Sequence, residues 1–210
     1  MLGDETIEMN IPLTHNIEER TLDEIKAYYK PKVFIEYCKA CQYYNKIWTC
    51  PPYNFDITKM LEIYQYAYII GSKVYIKDLG EDFKYLLDKD DLGYVANEIY
   101  KFTREVIDEK IIDIGLRKKH ICVLLAGRCL VCDTCTREKQ LSCIYPDKMQ
   151  LSLESIGFDV SSICEDILGY KMQWATESLP EYFVLVSTIL SREKLCVDYL
   201  YNSITLKTDV

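Results

Sequence analysis

Histidine is almost missing from this 210-residue chain. The two present, His15 and His120, have no partner motif, so neither is expected to ligate a metal, and His120 marks the junction between a long helix and a strand. Cationic charge is also short. Twenty-five Lys and Arg stand against 33 Asp and Glu, a net charge of -8, which opposes binding a polyanion through a broad basic face. Nucleic acid and anionic membrane are therefore not expected as partners. No uninterrupted apolar stretch approaches the length of a membrane-spanning helix, about 18 residues; the best are 121–126 and 182–186. Residues 1–19 carry Asp4, Glu5 and Glu8 and lack a basic segment followed by an apolar run, so no secretory signal is expected there. The expectation is a soluble, cytoplasmic protein in a reducing compartment.

What is present is ordinary globular material, with 49% apolar and 28% charged residues. Against a typical domain of roughly 150 residues, the length suits one domain with a small appendage: a leader, 1–30, holding a short helix, and a single cysteine-rich domain, 31–210. Thr21 can cap a helix over 22–29, stopped by Pro31. Residues 33–37 read as a strand. Asp56 or Thr58 can cap a short helix through Tyr64, and 67–76 reads as a strand broken near Gly71. Apolar residues at helical spacing make 94–119 the longest amphipathic helix, followed by a buried strand at 121–126. Ser152 can cap a brief turn closed by Gly157, and Asp159 or Ser161 a helix to Leu168. Residues 182–190 give a last strand, and the tail a helix around 195–199 that frays. The fold class expected is α/β or α+β, with helices packed on a mixed sheet of about four strands, because the connections are long enough for parallel pairs.

Ten cysteines are the main feature, and seven fall in two clusters. The second cluster reads Cys129-x2-Cys132-x2-Cys135-x7-Cys143, with Pro146 beyond it. Three thiolates at every third residue let a curled loop direct sulfur at one inorganic cube, as in the bacterial ferredoxin run. The last interval here is seven residues rather than three. The first cluster reads Cys38-x2-Cys41-x8-Cys50-Pro51-Pro52, with Tyr43, Tyr44, Trp48 and Tyr53 interleaved. Taken alone, that cluster equally begins a zinc site, since zinc also accepts four thiolates; the second cluster favours iron-sulfur. Without export to an oxidising space, these cysteines read as metal ligands rather than a disulfide framework.

These residues resemble a family of cysteine-rich predicted metal-binding proteins of uncharacterised function, met mainly in anaerobic bacteria and archaea. The resemblance rests on Cys38, Cys41, Trp48, Cys50, Pro51, Pro52, Cys129, Cys132, Cys135, Cys143, Pro146, Ser152, Glu154, Gly157, Asp159 and Val160. It implies metal or iron-sulfur binding through the seven matched cysteines and brings no established reaction. Where the family pattern often has a basic residue after its last cysteine, this chain has Ile144.

Seven thiolates fall one short of two fully cysteine-ligated 4Fe-4S clusters. Cys129, Cys132, Cys135 and Cys143 close one cluster while Cys38, Cys41 and Cys50 hold another with an open iron, or the ligands cross over, or one of Cys122, Cys164 and Cys196 supplies the eighth, or a single metal centre draws on both segments. These three lie in apolar stretches and read first as core. The aromatics of the first cluster read as a hydrophobic jacket. Lys39, Lys46, Arg128 and Arg137 flank the cysteines and can offset thiolate charge, with Arg128 the foremost. Ser152, Glu154 and Asp159 read as capping residues, and Tyr43, Tyr44 and Glu154 are the candidate proton donors should there be catalysis. The functional expectation is an iron-sulfur protein, 4Fe-4S in type, for electron transfer or for reductive or sulfur chemistry on a small molecule. Its partner is a redox protein or that molecule. The alternative is a zinc-stabilised protein-binding module without catalysis.

Overall fold

The structure, a computed structural model, describes residues 11–205. Residues 1–10 of the expected leader and 206–210 of the expected frayed tail lie outside the described residues. Strand β1 (Leu13–Thr21) opens the fold. Thr21 ends it and starts helix α1 (Leu22–Lys26) through a capping box, its side chain accepting from the Glu24 amide while the Glu24 carboxylate takes the Thr21 N–H at 2.6 Å. Two orphan amides are satisfied at once. Helix α2 (Pro31–Ala40) follows, then α3 (Ile57–Leu61), capped by Asp56, and strand β2 (Tyr66–Tyr75). Short helix α4 (Lys84–Leu87) leads to α5 (Leu92–Arg117), capped by Asp91. Strand β3 (Ile121–Leu124), helix α6 (Val160–Asp166), strand β4 (Tyr182–Ser191) and helix α7 (Val197–Thr205) complete the chain.

The four strands form one sheet in the order β1-β2-β4-β3, an α+β architecture. Every ladder is antiparallel, so the parallel pairs expected from long connections are not formed among these strands. The connections from β1 to β2 and from β3 to β4, which carry helices and the cysteine loops, return the chain in the opposite direction. β2 and β4 are central and buried on both faces, which is why they read as continuous apolar runs. Ala67, Ile69, Val184, Val186 and Leu190 face one side, against Leu22 and Ile25 of α1, Leu61 of α3 and Ile163 of α6. Tyr68, Ile70, Leu185 and Ile189 face the other, against Ile107 and Ile111 of α5 and Leu200 and Ile204 of α7. The sheet is thus covered on both sides.

Three sequence expectations change. Residues 33–37 are not a strand but the middle of α2, because Pro31 sits in its first turn, where its fixed φ starts a helix rather than stopping one. The half-buried stripe Phe34, Ile35 and Cys38 has helical spacing. Gly71 does not break β2. A Cβ there would stand 2.9 Å from Leu168 Cδ1, so the glycine admits a close-lying side chain within an unbroken strand. β1, in the segment set apart as a leader, was not legible because it is an edge strand with one buried residue, Ile17.

On that edge, His15 Nδ1 lies 2.9 Å from Ser72 Oγ. Burial, and then the charge of Lys110, lower its pKa to about 4. Between pH 6.5 and 4 the unfolded chain binds a proton that the folded protein refuses, so acidification across this window removes stability. The full shift corresponds to about 3 kcal/mol, and roughly half of that after solvent screening. We expect acid unfolding of His15→Gln to lose this segment of its pH dependence, as measured by urea midpoints from pH 7 to 4; an unchanged slope would assign the acid lability elsewhere.

Candidate metal centre

The first cysteine loop begins in the last turn of α2, which carries Cys38, and leaves the helix at Cys41, whose amide still donates to Cys38 O at 3.0 Å. A series of tight turns then brings the chain to Cys50 and back on itself, the Asn45 N–H bonding Pro51 O at 2.9 Å. This loop follows a helix rather than the expected strand. The second loop does follow a strand. Beyond β3 the chain bends at Gly127, φ +70°, and runs through Cys129, Cys132 and Cys135 to a short 3-10 turn, Thr136–Lys139, with Cys143 beyond it.

Six hydrogen bonds and the stacking of an arginine on a tyrosine bind the two loops to each other. The Arg137 guanidinium of the second loop donates to carbonyl oxygens of the first: Ile47 O at 2.7 Å, Pro52 O at 2.6 Å, and also Cys50 O, with Asn45 Oδ1 at 3.0 Å. Trp48 Nε1 donates to Leu141 O at 3.1 Å, and the Cys129 amide to the buried Thr49 hydroxyl at 3.2 Å. Arg128 lies over the Tyr43 ring, 4.5 Å from its centroid. A planar, five-donor side chain is suited to gathering carbonyls that no helix or sheet satisfies.

Two adjoining cavities result. One, of about 290 Å³, is lined by all four of Cys129, Cys132, Cys135 and Cys143 together with Tyr43, Trp48 and Thr49. The other, of about 770 Å³, is lined by Cys38, Cys41 and Cys50 and by Tyr100, Arg104 and Glu154. Tyr43, Arg128, Cys132 and Asp133 stand on the walls of both. All ten cysteines are free thiols. Among the described residues, no three His, Cys, Asp or Glu side chains converge in the arrangement of a single-ion site.

The thiols resist ionising without a cation. Burial first, then the neighbouring Cys41 and Cys38, push Cys50 up to about 11, while Arg137 pulls the other way. Burial, Cys41 and Glu154 likewise raise Cys38. In the other set, burial raises Cys129, and its sulfur neighbours Cys132 and Cys143 add to this. Cys132 is raised by slight burial, then by Cys143, Cys135 and Asp133. Mutual repulsion among thiolates is what a bound metal relieves.

Of the outlying cysteines, Cys164 is buried in the apolar core as expected, Cys122 is half-buried against it, and Cys196 is exposed rather than core. Ser152 and Asp159 cap their turns, through the Ser155 and Ser162 amides. Glu154 does not behave as a cap: its Oε1 accepts from the Gly127 amide at 2.9 Å, across to the second loop. Trp48 and Tyr43 line the smaller cavity while Tyr53 packs on the core. The sequence reading missed Arg104, 1% exposed, which donates to Arg128 O and to Asp108. An arginine four residues from Tyr100 on the apolar stripe of α5 was the available signal.

Fold and site together define an α+β protein with two cysteine-lined cavities side by side. The model of one family, described as "Predicted metal-binding protein (DUF2284)", matches residues 22–190. The chain belongs to that family, and the match takes in all seven clustered cysteines. No curated protein and no solved structure matches the chain. No described helix is long and apolar enough to cross a membrane.

Proposed function

We propose that the protein binds iron-sulfur clusters of the 4Fe-4S type, through Cys129, Cys132, Cys135 and Cys143 at one site and through Cys38, Cys41 and Cys50 at a second. The observation that carries this reading is the gathering of the seven thiols on two adjoining cavity walls, four at the smaller and Cys38, Cys41 and Cys50 at the larger, with Cys132 on both. The donor set fits: it is all sulfur at the smaller cavity. A lone zinc draws its four sulfurs to about 3.8 Å of one another, given bonds of about 2.3 Å in a tetrahedron. An inorganic cube holds them wider apart.

Bound there, such a cluster supplies one-electron transfer and, where a thiolate is lacking, an iron open to a small ligand. The protein's own residues do the rest. Arg137, Trp48 and Thr49 hold the loops in register; Tyr43 and Trp48 limit water at the smaller site; Arg128 and Arg104 bring positive charge to both, offsetting thiolate charge. The larger cavity beside the three-thiol set has room for a small molecule, on which reductive or sulfur chemistry is the proposed activity, with electrons delivered by a redox partner protein.

Anaerobically purified protein is expected to be brown, with iron and acid-labile sulfide in equal amounts. A colourless protein with stoichiometric zinc would instead favour the binding module. Cys132→Ser is expected to lose metal and Cys164→Ser to keep it; equal loss would show that Cys164 had been misassigned.

A further inference from the structure

The site of Cys38, Cys41 and Cys50 lacks a fourth sulfur once Cys132, which stands on both cavity walls, is assigned to the four-thiol set. Cys122, Cys164 and Cys196 are all absent from the wall that Cys38, Cys41 and Cys50 share. Another side chain on that wall offers a free ligand atom. Glu154 Oε1 is fixed by the Gly127 amide at 2.9 Å, while Oε2 is shut off from solvent and has no hydrogen-bond partner. Ser152 lies near enough to influence the carboxylate, yet leaves Oε2 unbonded. Leaving such an oxygen unpaired is costly, the more so when it is charged, so a native protein rarely keeps one without use.

The carboxylate stands on a fixed mount. Glu154 opens a 3-10 turn, Glu154–Ile156, that ends at Gly157 with φ +106°. The Lys30 amide bonds Gly157 O at 2.8 Å, and a Cβ on Gly157 would stand 2.8 Å from Pro31 Cα. The turn bearing Glu154 is thereby docked on the start of α2, the helix whose last turn carries Cys38. Cys38 and Glu154 are close enough for each to feel the other's charge.

We propose that the Glu154 carboxylate is the fourth protein ligand of the centre held by Cys38, Cys41 and Cys50, bonding through Oε2 while Oε1 stays on Gly127. The inference rests on the reading of that site as a metal centre. A carboxylate is a harder donor than a thiolate and suits iron in a sulfur cluster less well, so the corner it holds is the one that exchanges. A small molecule in the larger cavity would bind there, by displacing Glu154.

The full chain, reconstituted anaerobically with 57Fe and sulfide, is compared with Glu154→Gln and Glu154→Cys. The glutamine keeps a carbonyl for Gly127, and the cysteine supplies the missing sulfur. In the wild type, Mössbauer spectra are expected to show one iron in about eight with an oxygen-type ligand. Ferricyanide then removes one electron from the second cluster, which releases Fe2+ to a chelator and leaves a three-iron cluster. This loss is expected to be about tenfold faster in Glu154→Gln and slower than wild type in Glu154→Cys, whose oxygen-type signal disappears. An all-sulfur spectrum in the wild type, or equal rates of loss in all three proteins, overturns the proposal; both are expected if Oε2 relaxes onto the free Nε of Arg104 instead. Should Cys38→Ala hold as much iron as wild type, the centre itself is absent, and that reading fails along with the ligand.

Discussion

Stripping the metal is expected to open both cysteine loops and leave the sheet standing. The loops are held by turns and side-chain bonds rather than ladders, and their thiols repel one another once ionised. A structural four-thiolate ion contributes on the order of 10–16 kcal/mol in small zinc domains, far more than the hydrogen bonds that remain. The sheet rests on apolar clusters that include none of the seven clustered cysteines. Amide exchange after chelation should therefore quicken across 38–53 and 127–149 while Ile69 and Ile189, both fully buried, stay protected. Collapse of protection in β2 and β4 would show that the centre supports the whole fold. The pH dependence has a definite sign. With Cys50 held near 11 by burial and Cys38, Cys129 and Cys132 also raised, protons compete with the metal, so retention against a chelator should fall as pH falls. The limit is about tenfold per pH unit for each thiol that must be deprotonated.

Arg137→Ala is expected to weaken metal retention at both sites, although Arg137 is itself no ligand. It removes donors from the carbonyls of Ile47, Cys50 and Pro52 together. Charged hydrogen bonds contribute about 1.5–3 kcal/mol each; allowing for partial exposure, the combined local loss is about 3 kcal/mol. Arg137→Lys should recover only a minor part, since a point charge on a single stem cannot reach three carbonyls in different directions. Metal content and chelator half-time at each site provide the measurement. Full recovery by lysine would mean that Arg137 acts by charge alone.

The helix caps were legible because each is a local event: Thr21, Asp56 and Asp159 sit beside the amides they bond. So were α5 and the two central strands, which bury enough side chains for period or composition to show. What lay beyond the sequence was long-range. α2 reads as a strand by composition, and only Pro31 in its first turn argues otherwise. Strand direction is set by how connections fold back, which periodicity does not encode. At the site, spacing identified the seven cysteines but not their neighbours. Arg137 bonds residues 85 to 92 positions away, and Glu154 reaches an amide 27 positions away. Arg137 was read as one of several flanking cations, and Glu154 first as a cap, because neither partner is visible along the chain.

The strand order has a bearing on how the protein is made. β4 lies between β2 and β3, yet it is the last of the four described strands in sequence, so β3 has no strand partner, and β2 only β1, until the ribosome has passed Ser191. The second cysteine loop hangs from β3 and the first docks upon the second. During translation the sulfurs are therefore scattered along an unfinished polypeptide for most of its synthesis, which proceeds at about 5–20 residues per second. Any cofactor-delivery machinery must meet a chain already made through β4, and premature ions would find thiols that are not yet neighbours.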